Sequence, residues 1–404
     1  MPGSSPPSAG GDDGPGVNIL ITNHGLDARA GTELYVRDLA FGLKAAGHTP
    51  VCFAPVLGGV ADEIRAAGIE VTDTLDGLDR PDILHCHHHH ATALACLAFP
   101  TVPALFVCHG VLPWQEAPLA RFSNIRLWAA VSEACRQKLL DAGVPDVRIV
   151  LRLNGFDAER FTRGEPAAGN AERKTRALLF SNIAQPADLL PFRAACASHG
   201  LRLDHAGRAG KVLGAPEHEL PRYGLVFAKG RAAIEAMASG CAVILADYGK
   251  TGPLVTRANF DALRQENFGI AVINDPPDEA ALGDAIARID WDDAAKVSAR
   301  IRAEAPFTNT IADYLGDYED ILAEGPADAS RIADEARAYL TVILPHLRER
   351  DDLAGRLYHE TKTRLDRDRE LAALIVRAKS DPDAFEELQE RARWLDPSNP
   401  DLKG

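Results

Sequence analysis

Lys229, Gly230 and Arg231 combine two cations with a glycine directly after the apolar run LVFA. The pattern predicts a strand, a tight turn and then a helix, on which Glu235 lies one turn further along. A helix N-terminus offers N–H groups to an anion, and flanking cations add charge-assisted hydrogen bonds, so this turn suits a diphosphate. A carboxylate one turn inside the helix can bind sugar hydroxyls. The arrangement therefore predicts a nucleotide-sugar pocket.

Histidines form a second polar group, at the ends of two predicted strands. The run HCHHHH closes one strand, and His109 follows the apolar strand ALFVC. Because α/β sheets bind ligands at the carboxyl ends of their strands, we expect His87 and His88 to line a cleft there. His109 is predicted to contact a sugar hydroxyl or to act as a base toward an acceptor. The alternative for each of them is a structural imidazole satisfied by its neighbours.

Two further segments are candidates for ligand contact. Gly31 and Thr32 begin a predicted helix, where a glycine lets the backbone approach a ligand closely. The alternative is an ordinary turn capped by Thr32. Lys250 and Thr251 lie in the predicted loop DYGKTG, where an ammonium and a hydroxyl suit phosphate. The alternative for this segment is a plain surface loop.

Composition restricts the class of protein. The 404 residues carry a formal net charge of -14, which argues against general nucleic-acid binding because that function needs a basic face. The 7 cysteines form no C-x-x-C pair, so a reducing, cytoplasmic location is the simplest interpretation. The first residues lack both a basic start and an apolar run, which predicts a disordered tail rather than a signal peptide.

Apolar strands alternate with amphipathic helices over most of the chain, which predicts an α/β fold with two Rossmann-like, doubly wound parallel-sheet domains. The last strand of the second sheet is predicted at 269–274. Toward the C-terminus the strand signal disappears, and helices with breaks at Pro345 and Gly355 are expected. The predicted divisions are a tail at 1–16, a first domain at 17–160, a second domain at 161–308 and a helical region at 309–404.

Two motifs are specific enough to suggest a family. AVSEACRQKLLDAGVPDVRIVLRLNGFDAERF lies in the first predicted domain, and IEAMASG lies in the second. Through these motifs the chain resembles the GT-B fold glycosyltransferases of the family 4/family 1 type. The resemblance implies transfer of a sugar from a nucleoside-diphosphate sugar, bound to the second domain, to an acceptor bound to the first.

The resemblance also implies roles for individual residues. Glu235 would bind the ribose of the donor, while Lys229 and Arg231 would neutralise its diphosphate. The acceptor would lie near His109. Asn154, within the first motif, is placed with the substrate-binding residues, because closure of the two domains about this region would exclude water.

The chain departs from the family in two places. The family carries a second Glu eight positions before Glu235, where this chain has Phe227. The interval between LRLDHAG and LVFAKG is also short, which predicts a shortened second domain. Two alternatives therefore stay open: a catalytically degenerate nucleotide-sugar-binding or scaffold module, and a sugar-nucleotide epimerase, which shares the two-domain fold.

The expected partners follow from this interpretation. They are a nucleotide-sugar donor, used as co-substrate without any cofactor, and a saccharide, lipid-linked or small-molecule acceptor, as in polysaccharide biosynthesis. No metal is expected, because neighbouring histidines at a strand end point in different directions and no D-x-D motif occurs in a suitable loop. Self-association through the helical region at 309–404 and peripheral membrane contact through Arg121, Arg126 and Arg152 are left open.

Overall fold

The computed structural model of the chain describes residues 16–164, 169–182, 184, 188–207, 210–211, 213–247, 249–380 and 385–395. The predicted tail at 1–16 lies almost entirely outside the described residues. The chain divides into two units, residues 1–336 and 337–404. The first unit contains two sheets with their helices, and the described residues of the second form helices.

Seven parallel strands form the first sheet, in the order β3-β2-β1-β4-β5-β6-β7. Its central strands are buried on both faces, which is why they read as continuous apolar runs. The strands are β1 (Asn18–Thr22), β2 (Thr49–Phe53), β3 (Glu70–Thr72), β4 (Ile83–His87), β5 (Ala104–Cys108), β6 (Ile125–Ala130) and β7 (Ile149–Leu151). The helices are α1 (Gly31–Ala45), α2 (Gly59–Ala66), α3 (His89–Ala98) and α4 (Glu133–Asp141).

Five strands form the second sheet, in the order β12-β11-β10-β8-β9. They are β8 (Arg176–Phe180), β9 (Arg202–Ala206), β10 (Leu225–Ala228), β11 (Ala242–Asp247) and β12 (Lys250–Leu254). The helices of this part are α5 (Ala171–Lys174), α6 (Leu189–Ser198), α7 (Pro216–Glu219), α8 (Gly230–Ala238), α9 (Phe260–Gln265), α10 (Glu279–Ala287) and α11 (Trp291–Glu304). We call the parts built on the first and second sheets the first lobe and the second lobe.

The edge of the second sheet differs from the prediction. The segment 269–274 is not a strand but contains a short 3-10 turn at Ile270–Val272. The edge position beside β11 is taken by β12, which pairs with it antiparallel in a tight hairpin. A hairpin closes locally and at small entropic cost, so the nearer segment takes the open edge. Lys250 and Thr251 thus belong to a strand rather than to the predicted loop.

Two chain segments cross between the lobes and hydrogen-bond to each other. The Phe156 N–H donates to the Ala305 carbonyl at 2.9 Å, and the Phe307 N–H donates to the Phe156 carbonyl at 2.8 Å. Gly155 permits this approach, because an added Cβ would lie 3.0 Å from the Ala305 oxygen. The crossing brings the chain back to the first lobe for one more helix.

This returning helix, α12 (Phe307–Ala323), packs against the first lobe. Its Tyr314 hydroxyl lies 2.8 Å from the hydroxyl of Tyr35 on α1. Its Tyr318 hydroxyl lies 2.6 Å from Nδ1 of His85 on β4. The start of the region predicted as a helical appendage therefore completes the core of the first lobe.

Helix α4 begins with the predicted serine cap. The Ser132 hydroxyl accepts a hydrogen bond from the Cys135 N–H at 3.1 Å. We expect Ser132→Ala to lower the free energy of unfolding by about 1 kcal/mol, because one N–H of the first turn loses its acceptor. Urea unfolding followed by circular dichroism measures this change. Ser132→Thr serves as the control, and an equal loss in both variants would contradict the capping role.

One long helix begins in the last residues of the first unit and makes up most of the second. Helix α13 runs from Ile332 to Ser380 without a break, so the predicted interruptions at Pro345 and Gly355 are wrong. Both residues are exposed, and water can satisfy the carbonyl that a proline leaves unpaired. Helix α14 (Phe385–Leu395) follows and folds back on α13. None of the helices in the described residues has the length and hydropathy needed to cross a bilayer.

Candidate functional site

The strand order of the first sheet reverses between β1 and β4, which opens a crevice at their carboxyl ends. His87 is the last residue of β4, and its Nδ1 lies 2.7 Å from Nε2 of His109, just beyond β5. The Tyr35 ring packs edge-on against His109, with ring centroids 4.7 Å apart. The fold therefore brings His87 and His109 together at the expected edge of the sheet.

These imidazoles are held neutral. Burial lowers the pKa of His109 to about 4, with Glu116 opposing the shift. Burial lowers the pKa of His87 well below its usual value. His109 keeps partial exposure whereas His87 is fully buried, so His109 is the member that can meet a ligand. A neutral imidazole there can hydrogen-bond a hydroxyl or accept its proton.

His88 has a different place from the one expected. Its backbone is left-handed, with φ at 61°, and its ring is buried. Nδ1 accepts a hydrogen bond from the His24 N–H at 3.1 Å, so the ring proton sits on Nε2, which lies 3.2 Å from a Glu116 oxygen. The other Glu116 oxygen accepts from the His109 N–H at 3.0 Å. His88 therefore positions the His109 loop, which argues against the predicted ligand contact.

The second lobe contributes the turn at Gly230. Lys229 caps α8, and its ammonium lies 2.8 Å from a carboxylate oxygen of Asp247 at the end of β11. The other Asp247 oxygen accepts a hydrogen bond from Ser181 at 2.6 Å. Gly230 has φ at 53°, and its N–H donates to the Phe268 carbonyl at 2.8 Å. The predicted strand, glycine turn and helix are thus present, but the N–H of Gly230 and the charge of Lys229 are both engaged within the protein.

Arg231 links the two lobes. Its Nε donates to Glu235 at 2.7 Å on the same helix, and its NH2 group donates to Asp38 on α1 of the first lobe. The side chain is only 11% exposed. Burial opposes the ionisation of Asp38, yet Arg231 and Arg37 together hold the pKa of its carboxyl below the usual value. Asp38 and Tyr35 lie one helical turn apart, so α1 connects the Arg231 pair to the histidine pair.

Glu235 faces Arg231 rather than open cleft. Its side chain is 8% exposed, and burial raises the pKa of its carboxyl while Arg231 opposes the shift. Phe227, at the position where the resembled family has its second Glu, is fully buried and packs edge-on against Phe192 at 5.0 Å. Ribose contact by Glu235 therefore requires the Arg231 pair to rearrange, and Phe227 is a core residue.

The remaining predicted residues lie around this centre. The Asn154 N–H donates to Asn267 of the second lobe at 3.3 Å, so it sits at the crossing between the lobes. Gly31 is exposed at the first position of α1, and Thr32 follows it. Lys250 is exposed and pairs in register with Asp247. Thr251 is buried, with its hydroxyl 3.4 Å from the Asp275 carbonyl, which argues against phosphate contact.

Three carboxylates of the site were missed from the sequence: Asp38, Asp247 and Glu116. Asp247 follows an apolar strand, and the same signal that singled out His109 would have found it. Asp38 lies inside a helix and Glu116 ends a short 3-10 turn, Trp114–Glu116, where no local pattern marks them. Over the described part of the chain, no group of three or more His, Cys, Asp or Glu side chains is arranged to hold a metal ion.

The basic residues considered for membrane contact are partly neutralised. Arg152 pairs with Asp317 at 2.5 Å, and Arg126 lies 3.9 Å from Glu324. Both carboxylates belong to α12 and its C-terminal end. Arg121 is exposed whereas Arg126 and Arg152 are half-buried, and peripheral membrane contact through the three residues stays a prediction.

Known proteins share this architecture. Residues 66–160 match the model of Glycosyltransferase Family 4. HepE of Anabaena, solved in complex with UDP-glucose, superposes with a TM-score of 0.55 at 16% identity, over 74% of this chain and 100% of that chain. A glycosyltransferase of Rickettsia africae superposes with a TM-score of 0.53 at 16% identity, over 76% of this chain and 99% of that chain.

Sucrose-phosphate synthase of Thermosynechococcus elongatus superposes with a TM-score of 0.52 at 16% identity, over 76% of this chain and 99% of that chain. No curated protein matches the sequence significantly. At these identities the superpositions establish the fold, and the prediction of a GT-B fold is confirmed. The chain is thus a GT-B fold protein in which residues 66–160 of the first lobe match the Glycosyltransferase Family 4 model.

Proposed function

We propose that the protein is a glycosyltransferase that moves a sugar from a nucleoside-diphosphate sugar to a saccharide, lipid-linked or small-molecule acceptor. The observation that carries this proposal is that the cations at the Gly230 turn of the second lobe and the histidines of the first lobe lie on facing sides of the two lobes. The Gly230 turn, with Lys229 and Arg231, lies across from α1 of the first lobe, beside which His109 is held neutral. The family match and the bound UDP-glucose in HepE support the same chemistry.

In this proposal the donor diphosphate replaces protein carboxylates as the partner of the two cations. Lys229 leaves Asp247 and Arg231 leaves Asp38 to bind phosphate oxygens, and Glu235 then becomes available to the ribose. Cations and α8 stabilise the leaving diphosphate. His109 contacts the sugar or the acceptor hydroxyl. No cofactor takes part, and the unbridged state of the cysteines supports a cytoplasmic location.

Titration calorimetry with UDP, GDP and their glucose conjugates tests the first step. We expect one nucleotide to bind at micromolar to low millimolar concentration, and Lys229→Gln to weaken it by roughly 10- to 100-fold, since a charge-assisted hydrogen bond contributes about 1.5–3 kcal/mol. Lys211→Gln is the matched control, because Lys211 forms an exposed ion pair with Glu219 in the same lobe. Absence of binding at millimolar ligand would refute the proposal.

One observation favours a second candidate, a binding module without turnover. Phe227 is buried in the core where the resembled family places a donor-facing carboxylate. Release of free UDP or GDP from the bound sugar nucleotide, in the presence of candidate acceptors, separates the two functions. Tight binding without release supports the module, and an epimerised sugar nucleotide as the product would indicate an epimerase instead.

A further inference from the structure

Helix α13 carries a stripe of exposed apolar residues along one side, and further exposed apolar residues, such as Leu353 and Leu357, lie off this stripe. Leu340, Leu344, Tyr358 and Leu365 on this stripe are 51%, 59%, 65% and 47% exposed. Single exposed apolar residues are common on proteins, but several of them aligned along one side of a helix mark an interaction surface. The stripe is regular enough to specify what covers it.

The spacing of the stripe is symmetric about Tyr358. Going back from Tyr358, steps of 4, 3, 4, 3 and 4 residues lead to positions 354, 351, 347, 344 and 340. Going forward, the same five steps lead to positions 362, 365, 369, 372 and 376. Alternating steps of three and four residues form the seam of a coiled coil, and the two four-residue steps that meet at Tyr358 are a stutter, which unwinds such a seam locally. A seam that reads the same in both directions fits a copy of itself in antiparallel orientation.

The other side of α13 is occupied within the same unit. Leu374 is buried and lies about 160° around the helix from Tyr358, at 100° per residue. Near it, Glu370 pairs with Arg391 of α14 at 3.2 Å. Pro345 lies about 140° around from Tyr358, so the proline does not interrupt the stripe. Helix α14 therefore leaves the stripe open.

Charges beside the stripe select the orientation. Arg348 and Asp366 lie on one flank, about 80° from Tyr358, and Arg350 and Asp368 lie on the other flank at the same angle. In an antiparallel pair each flank meets the same flank of the second copy. Arg348 then faces Asp366 and Arg350 faces Asp368 of the second copy, and the two members of each pair differ in height along the helix axis by about 3 Å. A parallel pair would set the arginines of both helices at nearly the same height, and the aspartates likewise.

We propose that α13 binds α13 of a second copy of this chain as an antiparallel coiled coil centred on Tyr358. Asp351, Lys362 and Arg369 interrupt the apolar seam, and such polar seam positions fix register at the cost of affinity. The contact runs from Leu340 to Val376, which is about 54 Å at 1.5 Å per residue. The partner is thus a second copy of the same chain, independent of any nucleotide or acceptor.

Sedimentation of the full chain at several concentrations tests the pairing. We expect a dimer, and we expect R348D/R350D and D366R/D368R each to weaken it by about tenfold or more, since each places like charges on the meeting flanks. The variant with all four changes should return to within about threefold of the original affinity, because complementarity is restored. A monomeric original chain, or a fourfold variant as weak as either pair, would overturn the proposal.

Chemical cross-linking tests the orientation. Leu344 and Ala372 lie fourteen residues on either side of Tyr358, so an antiparallel pair sets them opposite each other. A short bismaleimide should join two copies when L344C and A372C are present together, and only weakly with either alone. The original chain, whose cysteines are all buried, is the control. Efficient cross-linking by L344C alone would indicate parallel pairing and overturn the proposal.

Discussion

Arg231→Ala is expected to lower the free energy of unfolding by about 3–5 kcal/mol, because it leaves the buried Glu235 without its ion-pair partner and takes one cation from the buried Asp38, which keeps Arg37. Asp38 and Glu235 are 6% and 8% exposed, and both contact Arg231. Denaturant unfolding of the full chain measures the loss. Arg222→Ala is the control, since Arg222 is 53% exposed in an ion pair with Glu219, where the expected loss is under about 1 kcal/mol.

Variants of Asp38 and Arg231 distinguish a structural role of Arg231 from a role in donor binding. Asp38→Asn removes the carboxylate that competes with a diphosphate, so we expect it to strengthen nucleotide binding by roughly 3- to 10-fold. Arg231→Gln should weaken the same binding. Titration calorimetry on both variants checks this difference. Weaker binding by Asp38→Asn would mean that the cross-lobe pair builds the site and that Arg231 does not leave it.

Lowering the pH is expected to destabilise the protein at pH values well above those at which ordinary carboxylates titrate. Burial lowers the pKa of His85 to about 3 and of His109 to about 4, and it lowers that of His87 well below its usual value. Their stabilising contribution is therefore complete above the unfolded pKa of about 6.5 and declines as pH falls toward the folded values. Three histidines give a loss of roughly 5 kcal/mol between pH 7 and pH 5.

Urea unfolding between pH 7.5 and pH 5 measures this slope. His85→Gln should reduce the slope by about one third, because one buried proton acceptor is removed. His359→Gln should leave it unchanged, since that side chain is exposed on α13. Equal slopes in the original chain and in His85→Gln would show that buried histidines do not govern acid stability. The carboxyl of Glu235, whose pKa is raised, acts in the opposite direction.

Local sequence pattern was sufficient for most elements. The apolar strands, such as β5 and β10, are short runs bounded by turn residues. Because both faces of these strands are buried, every position is apolar. The serine cap of α4 and the glycine turn before α8 are likewise local chemistry, and both occur where expected. His109 was predicted because strand ends in α/β sheets face the crevice, and Lys229 because it flanks a helix N-terminus.

The errors arose where a distant segment competes for the same place. Segment 269–274 has the composition of a strand, but β12 already occupies the edge of the sheet. Helix α13 continues through Pro345 because the proline lies on a side where water replaces the lost hydrogen bond. Both ring nitrogens of His88 are engaged by Glu116 and His24, which lie far from it in the sequence.

The sequence by itself determined the two α/β lobes, the glycine turn with its cations and the histidines at the strand ends, since each depends on neighbouring residues. Only the tertiary structure decided the partners of these groups. Arg231 meets Asp38 from the other lobe, Lys229 meets Asp247 from the next strand, and α12 returns to bury the histidines. Charge pairing and burial depend on residues far apart in the chain, and the local spacing of residues does not indicate which of them become neighbours.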